Sequence, residues 1–369
     1  MDNWHFARPE LAAHYLNILD LGISLSLAII APRRKGKTLF VLQDVSPLAR
    51  KKKYLPVYAS LWQNTNAPHE GLILALEEAI DALDNCLSVS RLLKAKIKKA
   101  TLSNELLGKM EVEFADRPTK ATSKELTILD KLLTALQRKA GKKTVLLLVD
   151  EVQHLATSKV FEPLTHSLRT MLDKRQGAVK TIFTGSARHY MELLFNASQS
   201  PFYHFVETVP FPDLDAGFIA FLCDKLDKEY DISLSQKALT RAFDNVDRSP
   251  YWMMKLISHL VTFVPDIKVS EEYVLELLDA TEDFDNIAKR MKPIDKIIYL
   301  ALSDDKNPFT TELLSKIDRE TSIKGISPNV QRSIKRLIEQ HLVSQVGRGE
   351  YYIEKPGLKR YLVDENGDK

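Results

Sequence analysis

An apolar stretch, Leu25-Ser26-Leu27-Ala28-Ile29-Ile30, runs directly into Ala-Pro-Arg-Arg-Lys-Gly-Lys-Thr at Ala31 to Thr38. No other feature constrains the fold of this chain as much. The octapeptide has the form of a phosphate-binding P-loop with Ala in place of its first Gly. Such a loop needs a buried strand to aim it and a helix N-terminus to close it, so that backbone N–H groups and the helix dipole converge on the anion. Leu39, Val41 and Leu42 supply the apolar spacing of that helix. In this reading Pro32, Arg33, Arg34, Lys35, Gly36, Lys37, Thr38 and Leu39 surround the phosphates of a nucleotide, Lys37 reaches the β/γ-phosphates and Thr38 ligates Mg²⁺. The competing reading is a basic turn between two core elements.

The complement of the loop is Val145-Leu146-Leu147-Leu148-Val149-Asp150-Glu151, a second apolar strand that ends in two acids. Hydrolysis of a nucleoside triphosphate needs that ending: Asp150 holds Mg²⁺ through its water shell, and Glu151 polarises the attacking water. The structural alternative has Asp150 capping the next helix and Glu151 merely solvated. A third run, Lys180-Thr181-Ile182-Phe183-Thr184-Gly185-Ser186, ends in small hydroxyl residues. At the tip of a strand added beside the loop, Thr184 or Ser186 can orient the water or sense phosphate loss, and both residues fit.

With 369 residues, 44% hydrophobic and 27% charged, the chain has room for two or three domains with ordinary cores. A net charge of +3 is too small to point to nucleic acid, so any such argument is local. Cys86 and Cys223 lie far apart without CxxC spacing; they support neither a disulfide framework nor a zinc site and read as buried free thiols. The apolar stretch before the loop is too short to span a bilayer, and Met1-Asp2-Asn3-Trp4 starts no signal-peptide pattern. A reduced cytoplasmic setting with no membrane partner is expected.

Helical and strand signals alternate from about residue 11 to 210, the pattern of an α/β fold with a parallel sheet covered by helices. Candidate strands are 25–31, 55–61, 144–150, 181–185 and 205–209. Between residues 84 and 125 lies a helical insertion whose Lys-rich stretch, 93–99, reads as a solvated face. From Asp213 only helical periodicity remains. Asp215 caps one helix, Ser249 with Pro250 starts a second, and a third begins after Ser270. After Pro293, helical segments 294–302, 311–317 and 328–342 precede short strands 343–346 and 351–353, an order that describes a winged helix-turn-helix. Its third helix puts Val330, Ile334, Leu337, Ile338 and Leu342 on one side and Arg332, Lys335, Arg336 and Glu339 on the other. The expected division is a core at 1–212, a helical lid at 213–292 and a winged helix at 293–369, with 364–369 as a frayed polar tail.

The sequence resembles the AAA+-like branch of P-loop ATPases that includes the archaeal-type and STAND ATPases and the origin-recognition initiators. The resemblance covers about residues 5 to 290. It is carried by Phe6-Ala7-Arg8-Pro9-Glu10-Leu11, the P-loop, Asp150-Glu151-Val152-Gln153-His154-Leu155, Phe183-Thr184-Gly185-Ser186-Ala187-Arg188 and Asp247-Arg248-Ser249-Pro250. Within that branch the chain looks most like bacterial ATP-binding proteins sharing Pro-Arg-Arg-x-Gly-Lys, Asp-Glu-x-Gln-His, Phe-Thr-Gly-Ser and Pro-Phe-Tyr, the last at Pro201-Phe202-Tyr203. The resemblance implies ATP and Mg²⁺ as ligands, sets Phe6 and Arg8 near the adenine, and makes Arg248 a lid arginine that reads the phosphates. Pro250 falls at an adenine contact. Three departures stand out. Ala31 replaces a glycine, which is tolerable where φ stays negative. Ser249 fills the middle of the Gly-x-Pro-like site, with Arg248 at its glycine position. Asn196-Ala197-Ser198-Gln199-Ser200 offers no arginine finger for a neighbouring subunit, leaving Arg169, Arg175 and Arg188 as candidates.

The function these features imply is a slow ATPase that acts as a switch, its lid closing on nucleotide and its winged helix binding DNA or a partner. For duplex DNA, the stretch 327–360 holds Arg332, Lys335, Arg336, Arg348, Lys355, Lys359 and Arg360 against Glu339, Glu350 and Glu354. The outer face of the third helix, Arg332, Lys335 and Arg336, and the wing-tip Arg348 would meet the groove and its phosphates. The alternative is an ATP-bound regulatory scaffold with little hydrolysis that acts through protein contacts. Besides ATP and duplex DNA, the expected partners are this chain itself, as a nucleotide-dependent oligomer, or another protein. A P-loop kinase is disfavoured by the paired acids.

Overall fold

Apolar runs without alternation are buried along their whole length only where helices cover both faces of a sheet. In the computed structural model, which describes residues 4–85, 117–347 and 349–367, these runs form a five-stranded parallel sheet. Its strands are β1 Ser26–Ile30, β2 Tyr54–Ser60, β3 Thr144–Asp150, β4 Val179–Gly185 and β5 Glu207–Val209, in the order β2-β3-β4-β1-β5. Because β4 lies between β1 and β3, pairing Ile29 with Thr184 and Val149 with Phe183, the loop-bearing and acid-bearing strands end on either side of Thr184.

Successive strand residues serve opposite faces. Leu27, Ile29, Leu146, Leu148 and Ile182 pack with Tyr15, Leu16, Phe40 and Val41, whereas Ala28, Val145, Leu147, Val149 and Phe183 pack with Leu129, Leu133, Leu164 and Leu168. Helix Pro9–Leu21 and the helical stretch after the loop supply the first face, and helices Ser123–Ala140 and Glu162–Asp173 the second. Each such buried Leu, Ile or Phe contributes roughly 1.5–3 kcal/mol relative to exposure. Thr122 and Glu125 form a capping box that fixes where Ser123–Ala140 begins.

The chain divides into two compact units. The sheet unit comprises Ala7–Ala31 and Lys37–Phe211; the second gathers Pro32–Gly36 with the chain from Pro212 onward and the described residues before Ala7. In the second unit Asp215 caps helix Ala216–Tyr230 by accepting from the Gly217 N–H at 2.9 Å. Helices Gln236–Asn245, Pro250–Thr262, Ile267–Glu282 and Phe284–Arg290 follow. Then come helices Pro293–Ser303, Thr311–Glu320 and Ser327–Glu339, an antiparallel hairpin of β6 Val343–Gly347 and β7 Glu350–Ile353, and helix Gly357–Gly367. One buried cluster runs through all of these, from Phe218 to Leu362, so the helices at 213–292 and the elements after Pro293 share a core.

Some local expectations change. The third helix starts at Ile267, not after Ser270, because Asp266 accepts from the Lys268 and Val269 N–H groups; Ser270 is buried inside it, 3.0 Å from His259 Nδ1. Ser249 precedes its helix without capping it, since its hydroxyl donates to Arg34 O at 3.1 Å. The polar tail is helical to Gly367. Cys223 is a half-buried free thiol. Cys86, the Lys-rich stretch 93–99 and Arg348 lie outside the described residues. Among the described residues no helix is long and apolar enough to cross a membrane.

Candidate nucleotide site

β1 delivers the chain to Ala31, whose N–H donates to Gly185 O at 3.3 Å. The loop's left-handed positions are Arg34, at φ 65°, and Gly36, at φ 88°, and Ala31 is not one of them. The exchanged glycine is therefore free of backbone strain. Lys37 is buried and its Nζ donates to Ala31 O at 2.6 Å, folding back over the start of the loop.

Thr38 Oγ1 donates to Asp150 Oδ2 at 2.6 Å, joining the two strands' motifs. Tyr58 OH donates to the same oxygen at 2.9 Å, and Thr184 Oγ1 donates to Oδ1. Burial, reinforced by the charge and hydrogen bond of Asp150, pushes the Tyr58 phenol well above its ordinary range and keeps it a donor. Asp150 is 4% exposed, and its donors among the described residues are these hydroxyls and the Glu151 N–H, all neutral. Thr38 and Asp150 are hard oxygen donors of the kind Mg²⁺ takes beside phosphate oxygens and water. Among the described residues no group of three or more His, Cys, Asp or Glu could hold a metal, and Mg²⁺ bound largely through phosphate and water does not require one.

Glu151 sits in the left-handed region at φ 57° and ψ 39°, a conformation that costs a non-glycine residue about 1–3 kcal/mol and recurs at functional sites. Its Oε2 accepts from Ser186 Oγ at 2.9 Å and from Gln153 Nε2. The two hydroxyls that the sequence left equivalent are thereby separated: Thr184 serves Asp150 and Ser186 serves Glu151. Sequence reasoning did not single out Tyr58 or Gln153. Tyr58 looked like one more strand residue; Gln153 carried a signal, its place two residues after the acid in the shared motif.

Of the other residues assigned to this unit, Arg8 donates its N–H to Asp44 Oδ1 at 3.0 Å and lays its guanidinium over Phe211 and Phe40, 4.8 and 5.9 Å from the ring centres. Leu39 is exposed. Arg175 is buried on Asp130, Thr134 and the Met171 carbonyl, and Arg169 is engaged by Asp173 and Pro201 O. Both are thus committed within the unit, which leaves neither side chain extended as a finger.

In the second unit the middle of the loop is held by ion pairs. Arg34 Nη1 meets Glu282 Oε1 at 2.6 Å and its guanidinium lies 4.7 Å from the Trp252 ring centre. Lys35 Nζ meets Asp213 Oδ1 at 2.9 Å and Asp247 O at 2.8 Å. Glu282 also takes Lys355 Nζ at 2.5 Å. Burial works against the Glu282 charge, yet Lys355 and Arg34 together hold its carboxyl below its usual value. Burial pushes the Asp247 carboxyl up to about 6, opposed by Lys35 and Arg360. Arg248, at φ 48°, bonds Asp244 Oδ1 at 2.9 Å and Leu214 O at 2.7 Å. Phe6 packs against Phe218 and Phe221, Pro250 opens its helix, Pro32 is half-buried and Arg33 is exposed.

The basic face after Pro293 is smaller than the sequence indicated. Arg336 does not project outward: it grips the buried Asp295 with Nε at 3.1 Å and with Nη2, and Ser333 Oγ donates to the same carboxylate. Lys355, Lys359 and Arg360 are likewise paired, with Glu282, Asp304 and Asp279. Arg332 and Lys335 stay exposed, Lys335 standing 3.8 Å from Glu339.

No family model and no curated protein matches the sequence. Solved structures do. A Walker-type ATPase of Pyrococcus abyssi is 16% identical, with 96% of this chain and 95% of that one covered and a TM-score of 0.62. The ORC2 protein of Aeropyrum pernix in its ADP form is 15% identical, covering 98% of this chain and 92% of that one at a TM-score of 0.52. Its ADPNP–ADP complexes give 14% identity, 98% and 93% coverage, and 0.51. The likeness is one of fold, shared with a Walker-type ATPase and with the ORC2 protein.

Proposed function

We propose that this chain is a cytoplasmic ATP-binding switch that hydrolyses ATP slowly and passes its nucleotide state through a helical lid, residues 213–292, to a winged helix, residues 293–369. The carrying observation lies within the sheet unit, where Lys37 folds back over the start of the loop and Thr38 and Thr184 donate to the buried Asp150. Within the second unit Arg34 and Lys35 are ion-paired, and Glu282 bridges Arg34 to Lys355. Phosphate at the loop competes with Glu282 for Arg34, so binding biases the Glu282 to Lys355 pair, and a ligand shifts an equilibrium only through such a difference in contacts.

In this reading Lys37 and the loop N–H groups hold the phosphates, with Thr38 and Asp150 holding Mg²⁺, which when bound neutralises charge developing on the phosphate oxygens. Glu151 takes a proton from the attacking water, Thr184 steadies Asp150 and Ser186 steadies Glu151. Phe6, Arg8 and Pro250 are assigned to the adenine, and Arg248 exchanges Asp244 for the γ-phosphate. The output is duplex DNA through Arg332, Lys335 and Arg348. The scaffold reading draws on Glu151 itself, whose Oε2 is already occupied by two donors.

Single-turnover hydrolysis separates the two. Glu151→Gln should slow hydrolysis by ~10²–10⁴-fold while ATP affinity stays unchanged. Equal slow rates for both proteins would leave the scaffold.

A further inference from the structure

The Asp-Glu-x-Gln-His motif gives chemistry to its acids and none to its glutamine. Gln153 is 3% exposed, and its Nε2 donates both to Glu151 Oε2 and to Ser186 Oγ, the latter at 3.2 Å. Ser186 Oγ in turn donates to Glu151 Oε2 at 2.9 Å, closing a triangle. The carboxylate settles which way the amide points, because the amide oxygen turned toward Glu151 would oppose two acceptors. Gln153 Oε1 is consequently buried without a hydrogen-bond partner among the described residues, a cost offset on the Nε2 side by the carboxylate acceptor. Gly185 leaves the room for it: a Cβ there would stand 2.7 Å from Gln153 Oε1 and would also strike Met191 Sδ.

We infer that Gln153 is a positioning residue for hydrolysis. With Ser186 it pins Glu151 Oε2 against a left-handed backbone, leaving Oε1 as the oxygen that meets the attacking water. The water gives one proton to Oε1 as its oxygen bonds to the γ-phosphorus. The bond from that phosphorus to the β–γ bridging oxygen breaks, and its electron pair leaves with ADP. Gln153 and Ser186 donate to Oε2 throughout and transfer no proton. Both acids are then referenced to the tip of β4, Asp150 through Thr184 and Glu151 through Ser186. This inference rests on Glu151 being the base.

The test is Mg²⁺-dependent ATP hydrolysis by the full chain, comparing wild type, Glu151→Gln, Gln153→Met, Ser186→Ala and the Glu151→Gln/Gln153→Met double variant, with ATP affinity measured for each. Gln153→Met should lower kcat by ~10–100-fold with KM and ATP affinity nearly unchanged, and Ser186→Ala should lower it less. On the Glu151→Gln background, Gln153→Met should change nothing further, because no base remains to be positioned. If Glu151→Gln hydrolyses as wild type does, the base assignment fails and takes the inference with it. A slow Glu151→Gln beside wild-type kcat in Gln153→Met overturns the positioning role alone, whatever Ser186→Ala does. So does a Gln153→Met defect that persists in the double variant or comes with lost ATP affinity, since that marks a purely structural role.

Discussion

Asp150 at the end of the sheet and Asp295 in the helices after Lys292 are both buried, 4% and 1% exposed, yet their surroundings are opposite in kind. Asp295 receives the guanidinium fork of Arg336, the Ser333 hydroxyl and the Lys292 N–H. Asp150 receives three hydroxyls and one N–H. An acid neutralised by its own arginine acts as a fastener, and breaking it strands a charge. An acid held only by neutral donors has no cation of the protein's own against it, and a cation brought from outside can take that place. The contrast separates a structural carboxylate from one that reads as part of a nucleotide site, although burial alone makes them look alike.

Removing each acid tests this contrast most severely. Asp295→Ala leaves Arg336 partly buried and unpaired, and should cost about 3 kcal/mol in a denaturant titration, the low end for such pairs because Arg336 keeps some exposure. Asp150→Asn should stay within about 1 kcal/mol of wild type, since the amide keeps the side chain's shape and the hydroxyls around it can accept as well as donate. Its defect should instead be loss of the Mg²⁺-dependent part of ATP affinity. Equal destabilisation by the two variants would erase the distinction.

A smaller effect is expected where cations of the second unit face solvent. Arg332→Glu with Lys335→Glu should leave stability intact, weaken duplex binding, and flatten the dependence of affinity on salt by a slope of about two. Duplex binding that is untouched, or absent in wild type, removes DNA as the output.

The smallest effect concerns Asp247. With its folded value pushed up to about 6 and an unfolded value of roughly 4, the native state keeps a proton that the unfolded chain releases. Stability therefore falls as pH rises from about 4 to about 6 and is level above that window. Asp247→Asn should abolish the fall and raise stability at neutral pH by about 1 kcal/mol at most, because the attraction to Lys35 and Arg360 is lost with the penalty. Asn tolerates the left-handed backbone at φ 57°. Thermal melts at both ends of the window check it; an unchanged slope would assign the dependence to other carboxylates.

Much of the sheet was legible because buried strands are written in contiguous apolar residues, and 144–150 was read to the residue. The acids at its end were legible for a related reason: charge directly after an apolar strand has few structural uses. Arg336 was not legible. Helical spacing put it on the outer face, but a long side chain reaches an acid 41 positions away in sequence, and no local pattern reports that. The same holds for Lys355, Lys359 and Arg360, whose partners Glu282, Asp304 and Asp279 lie outside the stretch from which the basic excess was counted.

The sequence by itself determined the strands, the loop and the pair of acids, since periodicity and motif spacing are local properties of the chain. Only the tertiary structure decided which hydroxyl serves which acid, that Gln153 closes on Glu151, and which cations remain for a ligand. Those outcomes depend on side chains brought within hydrogen-bond distance by strand order and helix packing, and such distances are set by the fold as a whole.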